Sequence, residues 1–516
     1  MITLRLREKM PAWQSLVLGL VAAVMLIAAF PDFDIRIMAW LAIIPLLMAV
    51  EREKASRGRA FIVGWVFGLV FFFGTCWWLT HAPITYAGFP PLLAYFLLFV
   101  VCSIVAFFSG IFAELMAVLL RRLNTAGVLA APFVWTAAEL LRYLVTGNNW
   151  NALGYSQAFT PFVLPFAAVG GVMMVSFLCA AFAAIVVFGY LNWPKRRIET
   201  GVGLLVFVLF VGLFGILTRA DAEGTEAAAD IVAIQPNVPM SGLSYEKWQE
   251  LRERHVLLTE RALAELRART PTASERPTTV IFPESPMNFM YSEDPEFRWF
   301  ITEFSRKHKV SVLFNSAEPN HADGKYFNSA KMVGPDGKPV GRYDKIHLVP
   351  FGEFVPGPFE YVIPAFVGSF SRGSDHRLLP LGETNAGVMI CFESHFGELA
   401  REYVINGADV LVELTNDGYL GNTPVLRQHL ANAVFRAAET NRPVLRVTNV
   451  GITAYINERG EIFDPAPTYQ EDTRTWSVAI SDGSQTFYVK HGDWFAWLSV
   501  LVTVGLLGVG LVRLRT

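Results

Sequence analysis

Charge is scarce in this chain. Only 17% of its 516 residues are Asp, Glu, Lys or Arg, and 43 basic against 45 acidic side chains leave a formal net charge of -2. Soluble proteins carry about a quarter charged residues, so this deficit, beside 53% hydrophobic residues, calls for a lipid solvent. The near-neutral balance gives no bulk field for nucleic acid, and no basic patch of that type stands out. Cysteine is scarce too, at four residues. Cys76, Cys102 and Cys179 lie inside long apolar runs, which leaves Cys391 alone in a polar stretch with no obvious disulfide partner. Such a thiol is either buried and inert or kept for its chemistry. HExxH, paired CxxC and GxxxxGK(S/T) strings are missing, so neither zinc nor a nucleoside triphosphate is implied, and no cofactor is expected.

What is present divides in two. A bilayer core takes about 20 apolar residues per helix, and eight runs are candidates: 14-30, 35-50, 60-80, 91-120, 126-145, 162-191, 201-217 and 494-512. The first is not expected to be a cleaved leader, because further spans follow closely and no small-residue cleavage site stands out. Lys and Arg are retained on the cytoplasmic side. They precede the first run (Arg5, Arg7, Lys9) and follow the second (Arg52, Lys54, Arg57, Arg59), the fourth (Arg121, Arg122), the sixth (Lys195, Arg196, Arg197) and the eighth (Arg513, Arg515). Both termini are therefore expected in the cytoplasm, with a bundle of about seven spans over 1-217, an extracytoplasmic domain over 218-492 and a last helix over 493-516.

The long segment has an α/β texture. Strands are expected at 230-234, 279-283, 311-315, 387-391, 409-414 and 444-448, and helices at 246-269, 293-308, 396-407 and 424-440. Pro335-Asp336-Gly337 and Asn457-Glu458-Arg459-Gly460 read as hairpin turns. Buried strands that run into a polar residue deliver it to the sheet edge, where ligands bind in α/β folds. Three places have that form. Thr279 to Pro283 ends at Glu284, Ala386 to Ile390 ends at Cys391, and Gly341-Arg342-Tyr343-Asp344 ends at Lys345. Taken singly, these residues read as a surface acid, a buried thiol and a solvated cation.

Their neighbours change that reading. Phe282-Pro283-Glu284-Ser285, then Tyr343-Asp344-Lys345-Ile346-His347 through Gly352-Glu353, then Ile390-Cys391-Phe392-Glu393 occur in that order. The series resembles the nitrilase superfamily with its ordered Glu, Lys, Cys triad, and the resemblance implies an α-β-β-α sandwich. The chemistry stands without the name. A thiol has a pKa of about 8.5, so a carboxylate must take its proton as it attacks a carbonyl, and Glu284 is the candidate base. An oxyanion then needs donors fixed in advance, for which Lys345 and the backbone amide of Phe392 serve. Glu353 resembles the superfamily's second glutamate, and Glu393 is taken as a further supporting carboxylate. His395 follows Cys391 closely, but Cys-His dyads are assembled from distant positions, so it reads as a capping or surface histidine. Gly505, Gly508 and Gly510 suit helix packing.

Membrane spans beside such a domain point to a lipid substrate. Gly154-Tyr155-Ser156-Gln157, Gln235-Pro236-Asn237-Val238-Pro239, Thr415-Asn416-Asp417 and Gly492-Asp493-Trp494-Phe495, with the triad, resemble the bacterial apolipoprotein N-acyltransferases over nearly the whole chain. The resemblance implies an enzyme of the inner membrane with its catalytic domain on the periplasmic face. Cys391 would take an acyl group from a phospholipid, typically phosphatidylethanolamine, and pass it to the α-amine of an apolipoprotein's diacylglyceryl-cysteine. Tyr155 and Asn416 are carried over as substrate-binding candidates. Two departures stand out. A family tyrosine after the nucleophile is Phe392 here, and a family tryptophan near the domain start has Trp248 or Tyr245 as its counterpart.

Phe354 to Phe370, with Phe354 and Phe359 among its aromatics, is apolar enough to form a lid that dips into the interface, or else to pack inside the domain. Glu139 and Arg142, one helical turn apart, either pair with each other or meet a zwitterionic headgroup. A membrane-anchored amidase and a non-catalytic scaffold are the competing readings. The first needs only one or two spans, and the second is expected to have lost a triad member. A monomer is expected.

Overall fold

Each of the eight apolar runs folds as a helix. In the computed structural model these are α1 (Trp13–Ala29), α2 (Ile37–Glu53), α3 (Arg57–Thr75), α4 (Pro91–Leu123), α5 (Ala131–Thr146), α6 (Ala167–Leu191) and α7 (Arg197–Leu217), with a last helix at Trp494–Val512. The structure describes residues 10–218, 226–269, 276–287, 289–355, 357 and 370–512. Described residues of Met1–Ala220 and His491–Thr516 form one compact unit, and those of Asp221–Lys490 another.

Several helices are shorter than the runs that encode them, for local reasons. Asn124 takes a left-handed φ of 53° after α4, and a Cβ on Gly127 would sit 2.5 Å from the Leu119 carbonyl oxygen. A 3-10 turn over Asn124–Ala130 therefore precedes α5. Inside α6, Gly171 has φ 68° and ψ -171°, a region open only to glycine, which breaks the helix near its start. Segments Arg57–Thr75, Pro91–Thr146, Leu164–Leu191 and Arg197–Leu217 are long and apolar enough to cross a membrane, and Trp13–Ala29 and Trp494–Val509 are shorter apolar helices. Along α7 only Val211 and Gly215 are buried, while Leu205, Val206, Leu209, Phe210 and Leu213 are exposed. An apolar face of that extent requires hydrocarbon around it.

The other unit is built on two sheets. Its strands are β1 (Ala227–Gln235), β2 (Thr278–Ile281), β3 (Ser311–Asn320), β4 (Lys325–Val333), β5 (Pro339–Asp344), β6 (Phe370–Ser371), β7 (Leu378–Leu381), β8 (Thr384–Ile390), β9 (Val410–Thr415), β10 (Val444–Thr448), β11 (Ala454–Ile456), β12 (Ile462–Phe463) and β13 (Asp472–Ala479). One sheet runs β13-β1-β2-β3-β4-β5 with β6 beside β4, and the other β12-β11-β10-β9-β8-β7. Both expected hairpins form, β4 with β5 and β11 with β12, and Gly337 and Gly460 supply the positive φ at their turns. Helices α8 (Tyr245–Arg269) and α9 (Pro295–His308) cover the first sheet through Leu263, Leu266, Phe297, Ile301 and Phe304, packed with Val232, Val280, Val312 and Phe314. Each fully buried side chain of this kind stabilises the fold by about 1.5–3 kcal/mol. Helices α10 (Gly397–Ile405) and α11 (Val425–Thr440) lie on the second sheet; the Tyr403 hydroxyl of α10 donates to the Val388 carbonyl at 2.6 Å. The sheets bond across their facing sides, with Thr448 Oγ1 donating to Gln235 Oε1 at 3.1 Å. The layers are helix, sheet, sheet, helix, as expected.

Candidate active site

Three strand ends converge. The chain leaves β2 through Phe282 and Pro283 to Glu284, leaves β5 into Lys345, and leaves β8 into Cys391. Parallel pairing of Ile390 with Leu414 puts Cys391 beside Thr415, whose hydroxyl hydrogen-bonds the thiol. Cys391 itself has φ 53°. A left-handed residue without glycine's freedom costs about 1–3 kcal/mol, and such strain gathers at functional turns. The 3-10 turn Cys391–His395 follows at once, so the nucleophile candidate stands on a sharp strand-to-turn corner.

The carboxylates are held from several sides. Lys345 Nζ lies 2.9 Å from Glu353 Oε1. Asn328 Nδ2 donates to Glu284 Oε1 at 3.0 Å and to Glu353 Oε1 at 2.8 Å, and Asn315 Nδ2 donates to Asn328 Oδ1 at 2.7 Å, which fixes the amide's orientation. The Asn416 backbone N-H donates to Glu284 Oε2 at 3.2 Å, and that of Val349 to Glu353 Oε2 at 2.8 Å. Burial pushes the Cys391 thiol well above its ordinary value; Glu284 adds to the rise and Lys345 opposes it. The thiol is neutral at rest. Burial also raises Glu284, with Lys345 opposing and Glu353 adding to the rise, which makes the carboxylate a stronger base than an exposed one. Burial alone would discharge Lys345, which is 1% exposed, but Glu353 and then Glu284 outweigh it and hold the ammonium above its usual range.

Glu393 ties the Lys345 loop to the Cys391 corner. Its Oε1 accepts from the Tyr343 hydroxyl at 2.7 Å and from the backbone N-H groups of Ile346 and His347 at 2.7 and 3.0 Å. Its Oε2 accepts from the Ile390 N-H at 2.8 Å. Burial lifts its pKa to about 7 against the pull of Lys345 and the backbone donors.

Beneath the corner lies a charged cluster not foreseen from the sequence. Arg446 of β10 pairs with Glu413 of β9 at 2.5 Å and with Asp417 at 2.8 Å. His429 of α11 lies 2.7 Å from Asp417 Oδ1 through Nδ1, and its Nε2 is 3.0 Å from Glu413 Oε1 and 3.1 Å from the Cys391 carbonyl oxygen. All four side chains are buried. Burial works against both carboxylates, yet Arg446 and His429 hold them below their ordinary values. A glutamate inside the apolar run Val410-Leu411-Val412-Glu413-Leu414 and an arginine inside Val444-Leu445-Arg446-Val447 were the available signals, since a charge in a central strand demands a buried partner. Asn328 left no such mark, because it stands next to Ser329 in a strand of mixed polar and apolar residues.

Glu284, Lys345, Glu353, Cys391, Phe392, Glu393 and Asn416 thus meet in one place. The Phe392 ring is half-buried, stacked on His395 at 5.7 Å and set edge-on to Phe396 at 5.2 Å. His395, expected as a capping or surface histidine, is not on the surface: it is buried, stacked against the Phe392 ring. Trp248 packs with Val238, Leu251, Met287 and Phe289, whereas Tyr245 is 66% exposed. Phe354 is half-buried with the Arg372 guanidinium 4.5 Å from its ring centre; Phe359 and most of the apolar segment after it lie outside the described residues. Tyr155, Glu139 and Arg142 belong to the helical unit, where all three are buried. Arg142 donates to Asn149 Oδ1 at 2.5 Å, while Glu139 Oε1 accepts from Trp135 Nε1 at 2.9 Å and from the Leu153 N-H at 2.8 Å.

Residues 228–487 match the carbon-nitrogen hydrolase family model, so the α/β unit is a carbon-nitrogen hydrolase domain. Residues 22–185 match the apolipoprotein N-acyltransferase N-terminal domain. An apolipoprotein N-acyltransferase of Geobacter metallireducens is 33% identical over 96% of this chain and 96% of its own. One of Nitrosomonas europaea is 31% identical over 91% and 93%, and one of Vibrio cholerae 28% over 89% and 90%. The chain belongs to the apolipoprotein N-acyltransferase family. Among solved structures, Saccharomyces cerevisiae Nit3 of the nitrilase superfamily covers 50% of this chain and 93% of its own at 18% identity, with a TM-score of 0.38.

Proposed function

We propose that this chain moves an acyl group from a membrane phospholipid to the N-terminal amine of an apolipoprotein through a thioester on Cys391. Glu284 takes the thiol proton as sulfur attacks the ester carbonyl. Charge developing on the carbonyl oxygen is met by the Lys345 ammonium and the Phe392 N-H. The ester C-O bond then breaks, the proton passes from Glu284 to the leaving oxygen, and a lysophospholipid departs. In the second half Glu284 takes a proton from the acceptor ammonium and releases it to solvent; the nitrogen attacks the thioester carbonyl and gives a second proton to Glu284, which passes it to the sulfur as the C-S bond breaks, so that amide, thiol and free carboxylate result. Glu353 and Asn328 hold the base and the ammonium at their stations.

The observation that carries this reading is a thiol kept protonated by burial, set on a strained corner between a carboxylate and a buried ammonium. The lipid-facing helices of the other unit support a donor drawn from the bilayer, and phosphatidylethanolamine is the donor we assign. The basic loops support an outer-face catalytic domain, and we take the working unit to be a monomer.

The test separates transfer from hydrolysis. Purified protein is charged with phospholipid and freed of excess donor, then mixed with a synthetic diacylglyceryl-cysteine peptide. Appearance of an N-acyl peptide at the expense of the acyl-enzyme is expected. Loss of the acyl group to water, with the peptide untouched, would favour the amidase reading.

A further inference from the structure

Both nitrogens of the His429 ring face acceptors. Asp417 Oδ1 lies at Nδ1, and the Glu413 carboxylate and the Cys391 carbonyl oxygen lie at Nε2. A neutral imidazole carries one N-H and would face a lone pair with a lone pair at its other nitrogen. Both nitrogens must therefore carry hydrogen. The charge count agrees: Glu413 and Asp417 bring two negative charges, and Arg446 with a protonated His429 brings two positive ones, in a place where an unpaired charge costs several kcal/mol. Burial opposes the imidazolium, but Asp417 outweighs it and the pKa is pushed up to about 9.

The Cys391 carbonyl is an unusual partner for that charge. It belongs to the residue whose left-handed φ of 53° turns the chain from β8 into the 3-10 corner, and its peptide unit continues into the Phe392 N-H. The carbonyl oxygen and that N-H lie on opposite sides of one planar peptide. Holding the oxygen holds the N-H.

We propose that His429 is a positioning residue for acyl transfer: as an imidazolium it anchors the Cys391–Phe392 peptide, so that the nucleophile keeps its corner geometry and the Phe392 N-H keeps its aim at the developing oxyanion. His429 touches neither donor nor acceptor and acts through that peptide. Glu413 and Asp417 hold the ring and its charge, and Arg446 holds those two carboxylates. The inference rests on Cys391 being the nucleophile.

A single His429→Leu change would leave an unbalanced negative charge in the core and risk the fold, so the test uses a pair. In His429→Leu/Asp417→Asn the cluster is neutral, Arg446 and Glu413 remain paired, and the donor to the Cys391 carbonyl is gone. The full-length proteins in detergent are compared for thermal midpoint, single-turnover acylation by phosphatidylethanolamine and donor KM. The expected result is a cooperative unfolding transition close to that of the wild type, a KM within about threefold, and acylation slower by about a hundredfold, the scale of a misplacement near 1 Å. His429→Gln/Asp417→Asn, which restores an uncharged N-H, should recover part of the loss. Acylation within about threefold of wild type in the leucine pair, or a loss that follows only the unfolded fraction, overturns the proposal. Failure of the wild type to form an adduct at Cys391 would instead overturn the reading on which it rests.

Discussion

The side-chain nitrogen of Asn328 donates to Glu284 at 3.0 Å and places a second hydrogen bond on Glu353. One amide spaces two carboxylates that would otherwise repel each other. Removing it in Asn328→Ala takes a donor from each anion, and hydrogen bonds to charged groups contribute about 1.5–3 kcal/mol. Single-turnover acylation should fall by about 10- to 100-fold with the fold intact. Asn328→Asp, which adds a third carboxylate, should fall further; equal rates for the two variants would contradict the spacing role.

Glu284 must be ionised to accept the thiol proton, and burial raises its pKa. Below that raised value the base is protonated and idle. Acylation should therefore decline as pH falls through a midpoint above about 4.3, the ordinary glutamate value. In Asn328→Ala the charged form loses a donor, so the midpoint should move upward. A downward move in the pH-rate profile would show that Glu284 is not the titrating base.

Glu393 receives four donors across two chain segments. Glutamine there presents an NH2 group where an N-H already points, leaving a buried donor unpaired at about 1–3 kcal/mol. Glu393→Gln should lower the thermal midpoint, and acylation should fall by about two orders of magnitude as the Lys345 loop and the Cys391 corner part. Retention of both properties would remove Glu393 from the account.

Gly373 donates its N-H to the Lys345 carbonyl at 2.8 Å, and a Cβ there would sit 2.0 Å from the Asp344 carbonyl oxygen. Gly373→Ala must therefore displace the backbone that carries Lys345, at a cost of about 1–3 kcal/mol. Turnover should fall more than KM rises, and an unchanged kcat would show that the loop has slack.

A His429 pKa raised from 6.5 to about 9 in the folded state has a consequence for stability. The contribution is fully present below pH 6.5 and is lost as pH rises through about 9. The thermal midpoint should drop between pH 7 and 9.5 in the wild type by more than in His429→Leu/Asp417→Asn. Parallel curves would mean that the ring is not charged.

Much of the site was legible because strand ends announce themselves. Glu284 and Cys391 each terminate a short apolar run and Lys345 follows the strand after the first hairpin, and the structure brings these strand ends together. Helices α8, α9 and α11 were legible from apolar spacing, and both hairpins from their glycine turns. Asn328 was not, because Tyr326-Phe327-Asn328-Ser329-Ala330 reads as any half-buried strand and nothing local says that its amide faces two carboxylates. His429 was hidden for a related reason: a histidine on a helix gains its meaning from Glu413, Asp417 and Cys391, which only the packing of α11 on β9 supplies. The helix break at Gly170–Gly171 was masked by the unbroken hydropathy of its run. Trp248 and Tyr245, open as alternatives in the sequence, part in the structure, one packed inside a cluster and the other facing outward.

The claim that everything else depends on is a covalent acyl group on one sulfur. Purified protein is incubated with phosphatidylethanolamine alone, digested, and the peptide containing Cys391 is examined by mass spectrometry. An adduct of acyl mass on Cys391, released by hydroxylamine and absent from Cys391→Ser, is the predicted result. An unmodified Cys391 peptide from a preparation that still N-acylates a lipopeptide would contradict the account.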